Sequence, residues 1–331
     1  MKIGPSRRSL RAPAVVVVSV ATVALAACSS QGGAQSQGGG GAAEGKNFTI
    51  AMVTHEAPGD TFWDKIRAGA EAAAANHNIT LNYSNNPDAG EQSTLVQNAI
   101  DQGVDGLATT LPNPDAIGPN VRKAVDAGIP VVAFNAGIND YKNYGVGMYF
   151  GSDEDLAGQT VGTRITQERP DSHTVCVIQL QGQVQLEARC AGVAKTDPNT
   201  EVLYVNGTDL PAVQQTIGAK LQQDPSITDV VTLAGDVALA ATQAKADAGS
   251  QASIATFDLN ADVAKQIQDG GILLSVDQQP YVQGYMAVTS LWLNLTNGND
   301  IGGGGPVLTG PSVVDQSNID VILPYTEKNT R

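Results

Sequence analysis

The sequence predicts an α/β protein built from two doubly wound parallel-sheet lobes. From residue 48 onward, short runs of β-branched residues alternate with longer alanine-rich segments of helical periodicity. This alternation occurs in two blocks separated by a break near residues 149–152, and each block has the length of an ordinary domain. A repeated strand–helix order requires a parallel sheet with helices on both faces. Because the linker at the break is short, we expect the lobes to hinge on each other.

The individual elements follow from the same pattern. In the first lobe, strands are predicted over residues 48–53, 79–83, 104–109 and 129–134, with helices over 62–75, 91–101 and 115–127. In the second, strands are predicted over residues 174–180, 202–205, 229–233, 253–257 and 272–276, alternating with helices over 156–168, 187–194, 212–223, 238–248 and 261–269. A long helix over 281–297 and two last strands over 312–314 and 320–323 complete the prediction.

The first 27 residues have the pattern of a signal peptide. A basic start precedes an apolar run over residues 14–25, and small residues follow it. The sequence Leu25-Ala26-Ala27-Cys28 resembles the lipobox of bacterial lipoproteins, which implies a lipid on Cys28. An ordinary signal peptide or a short membrane anchor is the alternative, although the apolar run is short for a membrane-spanning helix. Residues 28–46 are rich in Gly, Ser and Gln and are expected to form a flexible tether.

The charge of the chain excludes several classes of partner. The formal net charge is −14, and this value includes the four basic residues of the signal segment, so the remainder carries −18. Such a surface does not neutralise phosphates, which argues against nucleic-acid binding and against a basic membrane-binding face. No cofactor is expected, and no His or Cys cluster has convincing metal-ligand spacing.

Two cysteines remain when Cys28 is assigned to lipid. Cys176 and Cys190 form an even pair in a protein that the signal segment directs to an oxidising compartment. A disulfide between them is predicted, with two buried thiols as the alternative. The bridge would hold the segment that contains Arg189 against the sheet.

The candidate binding residues follow the predicted strands. In open parallel sheets, ligands bind beyond the carboxyl ends of the strands. Amide, carboxylate, guanidinium and aromatic groups there suit a neutral polyhydroxylated ligand, because each hydroxyl both donates and accepts hydrogen bonds. The predicted ligand-binding residues are Asp60, Phe62, Trp63, Asn135, Arg189, Asp236, Asp258 and Gln278.

All of these residues except Arg189 also have a purely structural interpretation. Asn135 and Gln278 can serve only to pair backbone groups at the hinge. The aromatic pair can belong to the core, and Trp63 is favoured over Phe62 as ligand-facing because Phe62 lies on the apolar stripe of its helix. Asp60, Asp236 and Asp258 each precede or begin a predicted helix and can act as caps.

At these positions the chain resembles the periplasmic sugar-binding proteins of the ribose-binding type. The segments that carry the resemblance are residues 53–63, 105–107, 127–132, 151–154, 255–258 and 277–285. The resemblance implies a type I periplasmic binding protein, monomeric and without enzymatic activity, that delivers a small sugar or polyol to the permease of an ABC importer. It also implies an N-terminal lobe of residues 47–150 plus 279–313, a C-terminal lobe of residues 151–278 plus 314–331, and three hinge crossings near 150, 278 and 313.

Two departures from the family pattern bear on the ligand. The fourth strand ends in Asn135-Ala136, where the ribose type carries an Asp-Arg pair, and no ring occurs near Thr208, where the family pattern has a further aromatic residue. The missing arginine and the missing ring put ribose in doubt and leave a different pyranose, a furanose or an acyclic polyol open.

Three other classes of function are possible for this fold. A transcription regulator would need an N-terminal helix-turn-helix, but a signal segment and a tether occupy that end. An enzyme would need a catalytic motif, and no nucleophile elbow, phosphate-binding loop or zinc-binding helix motif occurs. A ligand-sensing receptor of the chemotaxis or autoinducer-2 type remains the alternative to import. The protein is expected at the outer face of the cytoplasmic membrane.

Overall fold

The structure, a computed structural model, describes residues 47–331. The predicted signal segment, Cys28 and the tether therefore lie outside the described residues. Within those residues, no helix combines the length and the apolarity needed to cross a membrane.

The first lobe is built on a six-stranded parallel sheet. Its strands are β1 (Phe48–Thr54), β2 (Ile79–Asn85), β3 (Gly106–Thr109), β4 (Val131–Phe134), β5 (Met148–Ser152) and β11 (Val307–Gly310), in the order β11-β5-β4-β3-β1-β2. Its helices are α1 (Phe62–His77), α2 (Ala89–Asp101), α3 (Pro114–Asp126) and α9 (Pro280–Asn297). The parallel pairing confirms the predicted fold class for this lobe.

The second lobe repeats the same plan. Its strands are β6 (Thr174–Ile178), β7 (Thr200–Tyr204), β8 (Asp229–Thr232), β9 (Ser253–Phe257), β10 (Leu274–Asp277) and β12 (Ser312–Asp315), in the order β12-β10-β9-β8-β6-β7. Its helices are α4 (Glu154–Glu168), α5 (Val184–Thr196), α6 (Leu210–Gln223), α7 (Gly235–Ala248), α8 (Ala261–Gln268) and α10 (Ile319–Thr326). Strand β12 pairs antiparallel with β10, so this sheet is parallel except at one edge.

Both sheets are apolar on their two faces. In β1, Ile50 and Met52 pack into one core cluster, while Ala51 and Val53 pack into the cluster on the opposite face. In β6, Val175 and Val177 alternate with Cys176 and Ile178 in the same way. Such strands read as continuous apolar runs, because successive side chains point to opposite faces and both faces are covered.

The chain passes between the two sheets at three places. The crossings lie between β5 and α4, between β10 and α9, and between β11 and β12. The last of these contains a cis peptide bond between Gly310 and Pro311.

Three parts of the element prediction are wrong, and one of them is the omission of strand β11, which follows the glycine-rich segment. Residues 320–323 were expected to form a strand, but they lie in helix α10. A short apolar run does not distinguish a strand from a helix, and here Ile319, Ile322 and Leu323 pack against the core of the second lobe. The expected break at residues 149–152 falls within β5, a fully buried strand, and the crossing follows it.

A close helix pair covers one face of each sheet. In the first lobe, a Cβ added to Gly69 would collide with the carbonyl oxygen of Tyr281, and one added to Gly284 would collide with that of Ile66. Helices α1 and α9 therefore pack backbone to backbone. Gly158 and Gly192 play the same part between α4 and α5.

Gly284→Ala is expected to lower the free energy of unfolding by about 1–3 kcal/mol, because the new methyl group has no space between α1 and α9. Chemical denaturation with circular dichroism measures this change. Gly218→Ala is the matched control in α6, where the added atom would lie 3.7 Å from its nearest neighbour. That variant is expected to be as stable as the native protein or up to about 1 kcal/mol more stable. Equal destabilisation by both substitutions would contradict the close-packing argument.

Candidate ligand-binding site

A cavity lies between the lobes, at the carboxyl ends of the strands. The empty space between its lining residues is about 410 Å³, counting the part that is open to solvent. The first lobe contributes side chains that follow β1 and β4, and the second contributes side chains that follow β6, β8, β9 and β10. The lining residues are His55, Asp60, Phe62, Trp63, Asn135, Gln179, Leu180, Gln183, Gln185, Leu186, Arg189, Leu233, Ala234, Asp258 and Gln278.

The structure brings seven of the eight predicted binding residues to this cavity. They are Asp60, Phe62, Trp63, Asn135, Arg189, Asp258 and Gln278. The eighth, Asp236, lines a neighbouring pocket and accepts a hydrogen bond from Asn260 Nδ2 at 3.1 Å. That these residues bind a ligand stays a prediction.

Aromatic side chains at the start of α1 form one wall of the cavity, which we call the aromatic wall. Phe62 and Trp63 are both buried and meet edge to face with their ring centroids 5.3 Å apart. His55 makes a similar edge contact with Trp63 at 4.7 Å. Both predicted aromatic rings line the cavity, and both also pack into the core of the first lobe. The two interpretations of these residues are therefore compatible.

Asp60 holds the entry to α1 in place. Its Oδ1 accepts a hydrogen bond from the backbone N–H of Phe62 at 3.0 Å, which satisfies one of the free donors at the helix start. Burial raises the pKa of Asp60 to about 6, although this hydrogen bond opposes the shift.

Arg189 is the positive group of the cavity. Only 3% of its surface is exposed, and its Nε donates to Glu154 Oε2 at 2.6 Å while Nη1 donates to the carbonyl oxygen of Leu233 at 3.2 Å. The guanidinium lies over the ring of Phe257 at 4.6 Å. These contacts hold the planar group rigid and leave further N–H groups for a ligand.

The disulfide and an ion pair fix Arg189 from two sides. The bridge between Cys176 in β6 and Cys190 in α5 is present, as predicted. Glu154, the first residue of α4, is as buried as the arginine that it pairs with. Burial raises the pKa of Glu154, and the neighbouring guanidinium partly offsets this shift. Sequence reasoning missed Glu154, because its partner lies 35 residues further along the chain.

A chain of hydrogen bonds connects the two lobes at the hinge. Asn135 Nδ2 donates to Gln278 Oε1 at 3.2 Å, and Gln278 Nε2 donates to Asp258 Oδ1 at 2.7 Å. Asn135 Nδ2 also lies 3.2 Å from Gln283 Oε1, which belongs to α9. Burial raises the pKa of Asp258 to about 7, against the opposing effects of Arg189 and Gln278.

Asn135 and Asp258 occupy equivalent places in the two lobes. Each follows a buried strand, each has a left-handed backbone with φ of 64° or 66°, and each donates its backbone N–H to the next strand of its sheet. Asn and Asp adopt this conformation more readily than other residues with a Cβ atom. The turn ends the strand, and the side chain lines the cavity.

Four polar residues of the cavity were not among the predicted set: His55, Gln179, Gln183 and Gln185. His55 Nε2 accepts from Gln185 Nε2 at 3.2 Å across the cleft, and Nδ1 lies 2.8 Å from Thr110 Oγ1. Burial, and then the charge of Arg189, lowers the pKa of His55 to about 3, so the ring is neutral. The position of His55 directly after β1 is the sequence signal that could have identified it as a cavity residue.

The lobes also touch through backbone groups. Asn113 Nδ2 donates to the carbonyl oxygen of Gly182 at 2.9 Å, and the N–H of Val184 donates to the carbonyl oxygen of Pro112 at 3.0 Å. Together with the hydrogen bond between Gln185 and His55, these two bonds connect the lobes across the cleft.

One cluster among the described residues has metal-ligand chemistry. It consists of His173, Glu201 and Asp224, at the edge of the second sheet away from the cavity. Lys220 Nζ lies 2.8 Å from Glu201 Oε1 and competes with a cation there. The expectation that the protein binds no metal stays a prediction.

The fold and the cavity define a two-lobed solute-binding protein of the periplasmic type I class. The chain belongs to the periplasmic binding protein domain family, whose model matches residues 50–300. This bears out the resemblance found in the sequence and a function in sugar ABC transport.

Three similar proteins illustrate the relationship. A carbohydrate transporter from Acidothermus cellulolyticus 11B, solved in complex with myo-inositol, is 55% identical with a TM-score of 0.85, covering 86% of this chain and 100% of that one. The xylose/arabinose-binding protein of Sulfolobus acidocaldarius is 25% identical over 63% of this chain and 57% of its own length. The ribose import binding protein of Bacillus subtilis is 25% identical over 73% of this chain and 80% of its own length.

Asp258→Asn is expected to make the ligand-free protein more stable at about pH 8 but not at about pH 4. A carboxyl whose folded pKa is raised stabilises the fold below its unfolded pKa, and this stability is lost as the pH rises through about 7. The difference in the free energy of unfolding between the variant and the native protein should grow by about 2 kcal/mol or more from about pH 4 to about pH 8.

Urea denaturation at several pH values measures this difference. His55 contributes a pH dependence of opposite sign, but it is common to both proteins and cancels. Asp171→Asn, at an exposed carboxylate, is the control and should show no such trend. A difference that is the same at both pH values would refute the assignment of a buried charge to Asp258.

Proposed function

We propose that this chain captures a cyclitol of the myo-inositol type between its lobes and presents it to the permease of an ABC importer. The observation that carries the proposal is the 55% identity to the transporter solved with myo-inositol, over 86% of this chain and 100% of that one. The cavity of this chain has the chemistry that such a ligand needs.

A ring of neutral hydroxyls needs donors and acceptors on all sides. Asp60, Asp258 and Asn135 offer acceptor oxygens, and Arg189 and the amide nitrogens offer donors. The Oε1 atoms of Gln179 and Gln185 are buried and have no hydrogen-bond partner within the described residues. Ligand hydroxyls would satisfy these two acceptors, which otherwise carry the desolvation penalty of unpaired polar groups.

The aromatic wall suits the other surface of the ligand. The C–H groups of a cyclitol are apolar, and the rings of Phe62 and Trp63 line the cavity with apolar surface. Polar groups around the ring edge and an aromatic face beside it are what a polyhydroxylated ring requires.

Binding would be coupled to closure of the lobes. The residues of the cavity come from both sheets, so a ligand contacts its full set of partners only when the lobes meet. A ligand that favours the closed arrangement shifts the population toward it, and the importer can recognise that state.

The location of the protein belongs to the same proposal. We infer that residues 1–27 are removed, that Cys28 carries lipid, and that residues 28–46 tether a monomer to the outer face of the cytoplasmic membrane. The disulfide between Cys176 and Cys190 supports an oxidising compartment. The proposal places the lobe boundaries at the three crossings, after β5, after β10 and between β11 and β12, within a few residues of those expected from the sequence. It includes neither catalysis nor a cofactor.

Titration calorimetry with myo-inositol, scyllo-inositol, ribose, arabinose and glucose tests the proposal. myo-Inositol is expected to bind most tightly, and saturating ligand should raise the melting temperature by mass action. No heat and no thermal shift with any cyclitol would refute the cyclitol proposal, and no binding of any sugar or polyol would refute the site.

Asp258→Ala is expected to weaken myo-inositol binding by about 30-fold or more, because hydrogen bonds to a charged group contribute about 1.5–3 kcal/mol. Arg189→Lys should have a similar effect, since it keeps a charge beside Glu154 but loses the planar fork. Circular dichroism of the ligand-free variants checks their folding. Asp171→Asn is the control, and native affinity in both site variants would show that the ligand binds elsewhere.

A further inference from the structure

A second pocket lies beside the binding cavity and shares part of its lining. Its volume is about 670 Å³, counting the part open to solvent. We call it the side pocket; it is lined by Ala57, Pro58, Gly59, Asp60, Gln179, Leu180, Gly207, Thr208, Leu210, Ala234, Asp236 and Val237. Asp60, Gln179, Leu180 and Ala234 line both spaces. These four residues therefore form a boundary that a bound ligand can reach from the cavity.

The walls of the side pocket are largely apolar. Pro58 lies in the loop before α1, Leu180 follows β6, and Leu210 begins α6 with 39% of its surface exposed. An exposed leucine beside a binding cleft gains free energy when a ligand group covers it, at about 25 cal/mol per Å² of apolar surface. Thr208, at the rim, forms its hydrogen bonds with Asn206 in its own loop.

The charge of the side pocket is negative. Among the described residues, its wall contains Asp60 and Asp236 and no Lys, Arg or His. Burial raises the pKa of Asp236, and the charge of Lys65 opposes this shift. Lys65 lies close to these carboxylates but is buried within α1, where its Nζ donates to the carbonyl oxygen of Thr61 at 3.3 Å. The pocket therefore disfavours an anionic group such as a phosphate.

We propose that the side pocket holds a neutral substituent on the bound ring, so that the protein accepts O-substituted cyclitols and rejects phosphorylated ones. This inference rests on the proposed function, because the ring must occupy the binding cavity. The apolar wall favours an ether-linked group, and the two carboxylates act against an anion. The substituent leaves the cavity past Asp60 and Leu180 and covers Leu210.

The test compares three kinds of ligand on the full chain. Calorimetry is done with myo-inositol, with its mono-O-benzyl ethers substituted at each ring position in turn, and with the corresponding monophosphates. At least one ether is expected to bind within about 10-fold of myo-inositol, and every phosphate at least about 100-fold more weakly.

A variant that fills the side pocket provides the decisive comparison. Thr208→Trp is expected to weaken the best ether by about 10-fold or more while changing myo-inositol binding by less than about 3-fold. Thr94→Trp, at an exposed threonine of α2, is the matched control and should leave both affinities unchanged.

The outcomes separate this inference from the proposed function. If myo-inositol binds but every ether loses more than about 100-fold, the side pocket does not receive a substituent and the inference is wrong. Equal weakening of ether and myo-inositol by Thr208→Trp, or tight binding of a phosphate, would also overturn it. Failure of myo-inositol itself to bind would overturn the proposed function.

Discussion

The buried ion pair between Arg189 and Glu154 is the interaction on which the polar cavity depends. An arginine cannot give up its charge, so its burial requires a carboxylate partner with good geometry. Glu154 supplies this partner from the first turn after a hinge crossing, and the bridge from Cys176 to Cys190 holds α5 against the sheet. The guanidinium is thereby positioned before any ligand arrives. Preorganisation of this kind reduces the entropy lost on binding.

The cavity also depends on how each lobe ends its strands. Asn135 and Asp258 leave β4 and β9 with the same left-handed turn, and Gln278 joins their side chains across the hinge. The repetition indicates that two copies of one βα plan face each other with their carboxyl ends together. Ligands bind at such ends because helix starts and free backbone groups collect there. With a hinge held by hydrogen bonds, the lobes can close on each other without a structural change inside either lobe.

Sequence reasoning predicted the fold and seven cavity residues because these depend on local signals. The hydrophobic periodicity and the composition of a segment identify a buried parallel strand, and the residue after such a strand faces the binding cavity. Glu154, Gln183 and Gln185 could not be found in this way, because their roles depend on which segments meet across the cleft. Asp236 also follows a buried strand, yet its position in α7 places it in the side pocket. The short apolar run in α10 was misassigned because its length fits either element.

The charges around the cavity explain why a neutral polyol suits it better than an ion. Arg189 is already paired with Glu154, and burial raises the pKa of Asp60 to about 6 and that of Asp258 to about 7, so the cavity offers no unpaired positive charge. An anion would enter without a free counterion, and any ion would lose its hydration. A hydroxyl can donate to a carboxylate or accept from a protonated carboxyl, so it fits either state of these aspartates. The residues that make this cleft difficult for ions are therefore the ones that make it favourable for a ring of hydroxyls.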